Sequence, residues 1–156
     1  MKYYLGSPGW IAEAKRCLSE LVDEYSSRLG SARFSFSETF TNIPPDGATG
    51  SWAGVIEGGK VVYVEAPLVD ADLYFVADYA ACVPVAVARY TDADEGLMAK
   101  VQAHREHCIA AGDVKGYRGP AEHPPILQEL LIKMHDHIAG RTKYRPGEDR
   151  LLGIEP

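Results

Sequence analysis

The chain has 156 residues, of which 46% are hydrophobic and 24% charged, and these values exclude a disordered, collagenous or coiled-coil protein. Its 16 Lys and Arg residues against 22 Asp and Glu give a formal net charge of -6, the wrong sign for a protein that binds nucleic acid through phosphate contacts. A compact fold of this length buries about two thirds of the surface of its unfolded chain, so it is large enough to enclose a ligand pocket.

A long amphipathic helix is predicted near the start of the chain, over about residues 8–29. Ser7 and Pro8 fit a helix entry, apolar residues then recur three or four positions apart, and Gly30 ends the run. Over residues 32–41 the period changes to two. The three phenylalanines of this stretch share one face and its polar residues share the other, which predicts a strand with one face open to water.

Three further strands follow with short connections. Residues 51–57 and 60–66 flank Gly58 and Gly59, a pair that can adopt the positive φ angles of a tight hairpin turn. Residues 71–77 form the next predicted strand. Consecutive strands with short links indicate an antiparallel meander rather than the alternating βαβ pattern of a parallel sheet.

Two helices are predicted after the fourth strand. Asp78 is a suitable N-cap for a helix that reaches about Tyr90, and we expect Pro84 to break this helix in two. Asp92 or Asp94 caps the next helix, which ends at a glycine. These helices are expected to pack against the sheet.

A short strand over residues 113–118 and a final helix complete the predicted elements. Pro124 and Pro125 stand where a helix would begin, and an apolar stripe then runs to Gly140. The charged tail, residues 141–156, is predicted to be irregular. The order α-β-β-β-β-α-α-β-α therefore predicts the α+β class.

Several stretches, taken with this order, carry the pattern of a known family. Besides the opening helix and the final helix, they are Phe34-Ser35-Phe36-Ser37-Glu38-Thr39-Phe40, Gly58-Gly59-Lys60, Ala71-Asp72-Leu73-Tyr74-Phe75-Val76-Ala77-Asp78-Tyr79 and Gly112-Asp113-Val114-Lys115-Gly116. Over about residues 8–140 the chain resembles the sterol carrier protein type 2 (SCP2) domain family. This resemblance implies a single domain with a five-stranded sheet, helices on one side, and an apolar tunnel between the layers that takes lipid-like ligands.

The apolar faces of the predicted elements supply the candidate ligand-binding residues. The phenylalanines of the strands should face the helices, and the apolar stripes of the helices should face the sheet. The residues expected to line the cavity are Phe34, Phe36, Phe40, Trp52, Phe75, Leu97, Val101, Leu130 and Met134.

Two polar residues fall on these apolar faces. His104 shares a helix face with Leu97, Val101 and Cys108, and strict alternation places Glu38 on the apolar side of its strand. For Glu38 we prefer the alternative of a bulge or strand end that turns it outward, and for His104 a protein partner rather than a ligand. If both line one cavity, they could act as an acid/base pair on a bound substrate.

No metal or cofactor site is expected. The sequence contains no phosphate loop, no dinucleotide fingerprint and no Gly-x-Ser-x-Gly elbow. His104 and His107 are three residues apart on a helix, whereas His135 and His137 point about 200° apart, and we interpret all four as structural or solvent-facing. The three cysteines lie far apart and are expected to be buried free thiols.

We further expect a cytoplasmic protein that does not span a membrane. The longest strongly apolar stretch, residues 80–88, contains a proline and is far shorter than the roughly 20 residues of a bilayer span. The first six residues have no apolar core of the kind that a signal peptide uses.

Three functions remain open at the level of the sequence. The leading hypothesis is a carrier or accessory protein that binds a fatty acyl chain, sterol or similar lipid-like molecule without transforming it. The alternative is a small cofactor-free isomerase, cyclase or hydratase that acts on an apolar carbonyl compound through Glu38 and His104. In the third, Leu151, Leu152 and Ile154 anchor the tail in its own groove or on a partner, either an enzyme or a second copy of the chain.

Overall fold

The computed structural model describes residues 1–119 and 122–152. It shows an α+β fold in which helices lie on one side of a five-stranded sheet, so the predicted fold class is confirmed. The helices are α1 (Pro8–Leu29), α2 (Tyr79–Ala86), α3 (Glu95–Ala111) and α4 (Pro125–Ala139). The strands are β1 (Tyr3–Tyr4), β2 (Phe34–Ile43), β3 (Ala48–Glu57), β4 (Lys60–Val64), β5 (Leu73–Asp78), β6 (Val114–Arg118) and β7 (Thr142–Lys143). Within the described stretches, no helix is both long and apolar enough to cross a bilayer.

Local signals in the sequence explain where the long helices begin and end. The Ser7 hydroxyl accepts a hydrogen bond from the backbone N–H of Trp10, which caps the start of α1. Asp94 caps α3 by accepting from the backbone N–H of Leu97, and Gly112 ends α3 with a left-handed φ of 81°. Of the two predicted N-cap candidates, Asp92 and Asp94, the structure therefore shows Asp94 in this role.

The sheet is not one continuous meander, and this corrects the predicted topology. Strands β2, β3 and β4 form an antiparallel meander, but β5 returns across the sheet and pairs in parallel with β2, giving the order β4-β3-β2-β5-β6. Strand β6 then pairs antiparallel with β5. The central strand is therefore β2, and its neighbours β3 and β5 run in opposite directions.

The link between β4 and β5 covers the outer face of β2. The Asp72 carboxylate accepts hydrogen bonds from the backbone N–H of Ser35 at 2.8 Å and from its hydroxyl at 3.1 Å. The Ser37 hydroxyl accepts from the backbone N–H of Leu68 at 2.9 Å. Both serines are buried, so the prediction that this face is open to water is wrong at these positions.

Helix α2 is shorter than predicted and is not broken in two. It ends at Ala86 rather than near Tyr90, and Pro84 lies inside its last turn. A proline there removes one N–H and crowds the preceding turn, which ends a short helix instead of splitting a long one. As predicted, the Asp78 carboxylate caps the helix by accepting from the backbone N–H of Ala80.

The tail is more ordered than expected. Strand β7 pairs in parallel with β1, so the beginning of the tail lies beside residues 3 and 4. The buried Thr142 hydroxyl accepts from Trp10 Nε1 at 2.9 Å and donates to the carbonyl oxygen of Ile138 at 2.7 Å. Leu151 is half-buried and Leu152 is exposed, while Ile154 lies outside the described residues.

Replacing Asp72 by alanine should destabilise the fold. The change leaves the buried backbone N–H and hydroxyl of Ser35 without their acceptor, and an unsatisfied buried donor costs about 1–3 kcal/mol. Urea denaturation would measure the free energy of unfolding. Asp70→Ala, in the same link but exposed, is the matched control and should change stability by less than about 0.5 kcal/mol. Equal effects of the two substitutions would contradict the proposed role of Asp72.

Candidate functional site

A cavity of about 340 Å³ lies between the inner face of the sheet and the helices. Its wall receives side chains from β2, β3, β5 and β6 on one side and from all four helices on the other. Most of these side chains are aromatic or aliphatic. Clefts and cavities that are lined mostly by apolar side chains, with a few polar groups, are the usual small-molecule sites of proteins.

The sheet side of the wall is built from aromatic rings. Phe34, Phe36 and Phe40 project from alternate positions of β2, and Trp52 and Phe75 project from the strands on either side. The rings of Phe36 and Trp52 lie 4.5 Å apart between centroids, and those of Phe40 and Phe75 lie 5.6 Å apart. All five were expected on the wall, and their role in ligand binding stays a prediction.

A glycine allows two of these rings to meet. Gly54 is the β3 residue that pairs with Phe36, and a Cβ atom at this position would lie 2.9 Å from the Phe36 ring. Real Cβ atoms do not approach another carbon so closely, so any side chain here would displace the ring from its contact with Trp52.

The helical side of the wall differs from expectation at three of four positions. Met134 lines the cavity, but Leu130, Val101 and Leu97 do not. Leu130 and Val101 are completely buried in contacts between elements, and Leu97 is half-buried in the first turn of α3. An apolar helix stripe is wide enough to meet several neighbours, so periodicity alone does not determine which residues border empty space.

Glu38 lies on the cavity wall in the middle of β2. Its partners across the two ladders are Trp52 on β3 and Phe75 on β5. The preferred expectation, a bulge or strand end that turns this residue outward, is wrong because the β2–β3 register is regular from Phe34 to Phe40. The irregularity comes only after Phe40, where Asn42 adopts a positive φ of 57°.

The environment of Glu38 favours its neutral form. Burial among aromatic rings raises the pKa of its carboxyl group to about 7, although a hydrogen bond opposes this change. The bond is donated by Trp52 Nε1 to Glu38 Oε1 at 2.9 Å. Within the described residues no cation pairs with Glu38, so the carboxyl group exchanges its proton near neutral pH.

His104 also reaches the cavity wall, but both of its ring nitrogens are engaged by the protein. The backbone N–H of Leu152 donates to Nδ1 at 3.1 Å, which places the proton on Nε2. Nε2 then donates to the carbonyl oxygen of Ala81 at 2.7 Å. The preferred expectation of a protein partner is therefore met by two backbone groups, one on α2 and one in the tail.

The two thiols on the wall are poor nucleophiles. Burial raises the pKa of Cys82 far above its usual range, and it also raises the pKa of Cys108. Both therefore keep their protons at neutral pH. Neither forms a disulfide, and Cys17 is likewise free.

Several polar residues on the wall were not predicted. They are Tyr90, Arg105, Tyr117, His123, Gln128 and His135. His135 stacks on Tyr90 with ring centroids 3.7 Å apart, and burial lowers its pKa. His123 stands edge-on to the Phe34 ring, and its Nδ1 is the one fully buried side-chain nitrogen or oxygen without a partner in the described residues. Tyr90 and His123 lie in loops, where periodicity gives no signal, whereas Arg105, Gln128 and His135 lie within α3 and α4 and do not belong to an apolar stripe.

No three His, Cys, Asp or Glu side chains come together as a metal site within the part of the chain that the structure describes. His135 Nε2 donates to the carbonyl oxygen of Ala88 at 2.8 Å. His137 instead contacts Glu13 at the surface, 3.0 Å away. The two residues therefore point to different surroundings, in line with their spacing on α4.

Comparison with known proteins gives no assignment. Neither the protein-family models, nor the curated proteins, nor the solved structures contain a match to this chain. The resemblance to the SCP2 domain family therefore stays an expectation from the sequence, and the site has to be interpreted from its own geometry.

Glu38→Gln should change how stability depends on pH. The folded state raises the pKa of Glu38 from 4.5 to about 7, so it binds this proton more tightly than the unfolded chain does. The free energy of unfolding of the wild type should therefore fall, relative to Glu38→Gln, as the pH rises from about 4.5 to 7. The relative loss should reach up to about 3 kcal/mol.

The measurement is the difference in unfolding free energy between the two proteins at each pH. Taking this difference cancels the titration of other groups, such as Glu13, whose pKa its hydrogen bonds with Arg16 and His137 lower to about 2. A difference that stays constant between pH 4.5 and 7 would show that Glu38 is not held in an apolar environment.

Proposed function

We propose that this protein binds a hydrophobic small molecule in the cavity between its sheet and its helices, in a carrier or accessory role, without transforming it. The observation that carries the proposal is the 340 Å³ cavity behind the Phe-rich face of β2. Spaces of this size fall within the usual range of small-molecule pockets. The expected likeness to lipid carriers of the SCP2 family agrees with this proposal but rests on the sequence alone.

The size of the cavity indicates a ligand of moderate length. Its 340 Å³ lies near the lower end of the volumes that small-molecule sites span. Burial of the ligand's apolar surface would contribute about 25 cal/mol for each Å².

A catalytic role has less support. Proton transfer between a substrate and the pair Glu38 and His104 needs a free nitrogen on the imidazole, and both nitrogens are hydrogen-bonded to backbone groups. The thiols of Cys82 and Cys108 are held in their protonated form. Of the two members of this pair, Glu38 keeps a free acid/base group in the cavity, and binding chemistry accounts for it equally well.

A neutral fluorescent probe should bind in the cavity, and filling the cavity should prevent this. Titration with N-phenyl-1-naphthylamine should show saturable binding to the wild type. Ala86→Phe places a ring into the space from the end of α2, so its affinity for the probe should fall at least about tenfold.

The matched control is Ala110→Phe, which adds the same ring to an exposed position of α3 and should bind the probe as the wild type does. Native mass spectrometry of protein purified from cells should also detect a bound apolar molecule in the wild type. Absence of both saturable probe binding and a co-purified molecule would end this proposal.

Two residues of α4, one helical turn apart, should respond differently to truncation. Leu130→Ala removes a completely buried side chain from tight packing and should cost about 2–5 kcal/mol. Met134 borders the cavity, so Met134→Ala should cost less and should instead increase the affinity for longer ligands. Thermal unfolding and titration with alcohols of increasing chain length would measure both effects. Equal losses of stability, with no change in length preference, would indicate a solid interior.

A further inference from the structure

The carboxyl group of Glu38, on the inner face of β2, uses only part of its hydrogen-bonding capacity within the described residues. Glu38 stands between Phe36 and Phe40 on its own strand and between Trp52 and Phe75 on the neighbouring strands. A carboxyl group has about four acceptor positions, and only the Trp52 indole occupies one of them in the described residues. The remaining oxygen is available to whatever lies in the cavity.

The fold itself does not need a carboxyl group at this position. The Trp52 N–H requires an acceptor, but the amide oxygen of a glutamine would serve equally well and would carry no ionisable group into an apolar environment. Glu38 is half-buried and its second oxygen is open to the cavity. A ligand that excludes water from this oxygen has to replace the hydrogen bond that water would make, because a buried polar group without a partner costs free energy.

Charge on the cavity wall limits what this ligand can be. The permanently charged side chain on the wall is Arg105, whose guanidinium group lies over the Tyr117 ring and donates to Gln102 at 2.9 Å. Arg105 lies on α3, not on the strands that flank Glu38. A ligand carboxylate placed beside Glu38 would meet a second acidic group in surroundings of low polarity, which is unfavourable without a cation.

We propose that Glu38 is the polar anchor of the site and that it selects ligands with an apolar skeleton and one neutral oxygen function, a hydroxyl or a carbonyl group, over hydrocarbons and carboxylates. This inference rests on the proposed function, because it requires that the cavity binds a small molecule. It identifies the chemical class of that molecule, which is an alcohol or a ketone.

Protonation of Glu38 should then separate the two kinds of ligand. Below its pKa of about 7 the neutral carboxyl group can donate a hydrogen bond to a ligand carbonyl. Above this pKa the carboxylate can only accept hydrogen bonds. It can still bond to a ligand hydroxyl but no longer to a ketone. The other titratable groups on the wall are Cys82, Tyr90, His104, Arg105, Cys108, Tyr117, His123 and His135. None of these lies on the two strands that flank Glu38, where its partners are uncharged.

The test uses four ligands with one skeleton: cyclododecane, cyclododecanol, cyclododecanone and cyclododecanecarboxylate. Each competes with N-phenyl-1-naphthylamine for the full-length protein at pH 6 and pH 8.5. At pH 6 the alcohol and the ketone should bind about three- to tenfold more tightly than the hydrocarbon, which is the range expected for one net hydrogen bond. At pH 8.5 the ketone should lose this advantage and the alcohol should keep it.

Two variants provide the controls. Glu38→Gln keeps a donor and an acceptor without a titratable proton, so it should prefer both oxygen-containing ligands at either pH. Glu38→Leu combined with Trp52→Phe removes the carboxyl group together with the indole N–H that would otherwise be freed, so it should bind all three neutral ligands with similar affinity. If one variant does not fold, the other with the wild-type pH comparison still decides the question.

The outcomes distinguish a failure of this inference from a failure of the proposed binding function. Probe binding without any preference among the neutral ligands, or tightest binding of the carboxylate, would overturn the anchor role of Glu38 and leave the binding function intact. Failure of the probe and of every ligand to bind would overturn both.

Discussion

The central strand β2 is covered on both faces over residues 34–37, so each polar group of this stretch needs a partner inside the protein. On the outer face, Ser35 and Ser37 bond to the link that carries the chain from β4 to β5. These bonds hold the link across β2 and accompany the parallel pairing of β5 at its edge. The residues that alternate with these serines point to the inner face, so the phenylalanine rings of β2 and Glu38 face the helices. The cavity wall therefore depends on how the opposite face of the same strand is satisfied.

The contacts around the cavity hold its aromatic wall in place. Trp10 is central to them: it packs edge-on against Phe40 and Trp52, and its indole N–H bonds to Thr142. An occupant of the cavity would add to the stability of the fold by mass action.

Local sequence patterns predicted the helices and strands better than they predicted which strands pair with each other. Alternation placed Phe34, Phe36 and Phe40 on one face, and helix periodicity with capping residues gave the bounds of α1. Strand pairing is a long-range property, so nothing near β5 in the sequence indicates that it returns to β2. The burial of Ser35 could not be foreseen for the same reason, because its partner Asp72 lies 37 residues away. Two-residue strands such as β1 and β7 are too short to show any period.

Glu38 and His104 are both polar residues of the inner layer, but they differ in their hydrogen bonds. Sequence periodicity treated Glu38 and His104 alike, as polar residues on apolar faces. In the fold His104 is a structural link, since one ring nitrogen bonds to Ala81 on α2 and the other to Leu152 in the tail. Among the described residues, Glu38 is hydrogen-bonded only to the Trp52 indole, and its second oxygen faces the cavity. Because Glu38 is half-buried and its second oxygen faces the cavity, a molecule that fills the cavity would be the partner of that oxygen.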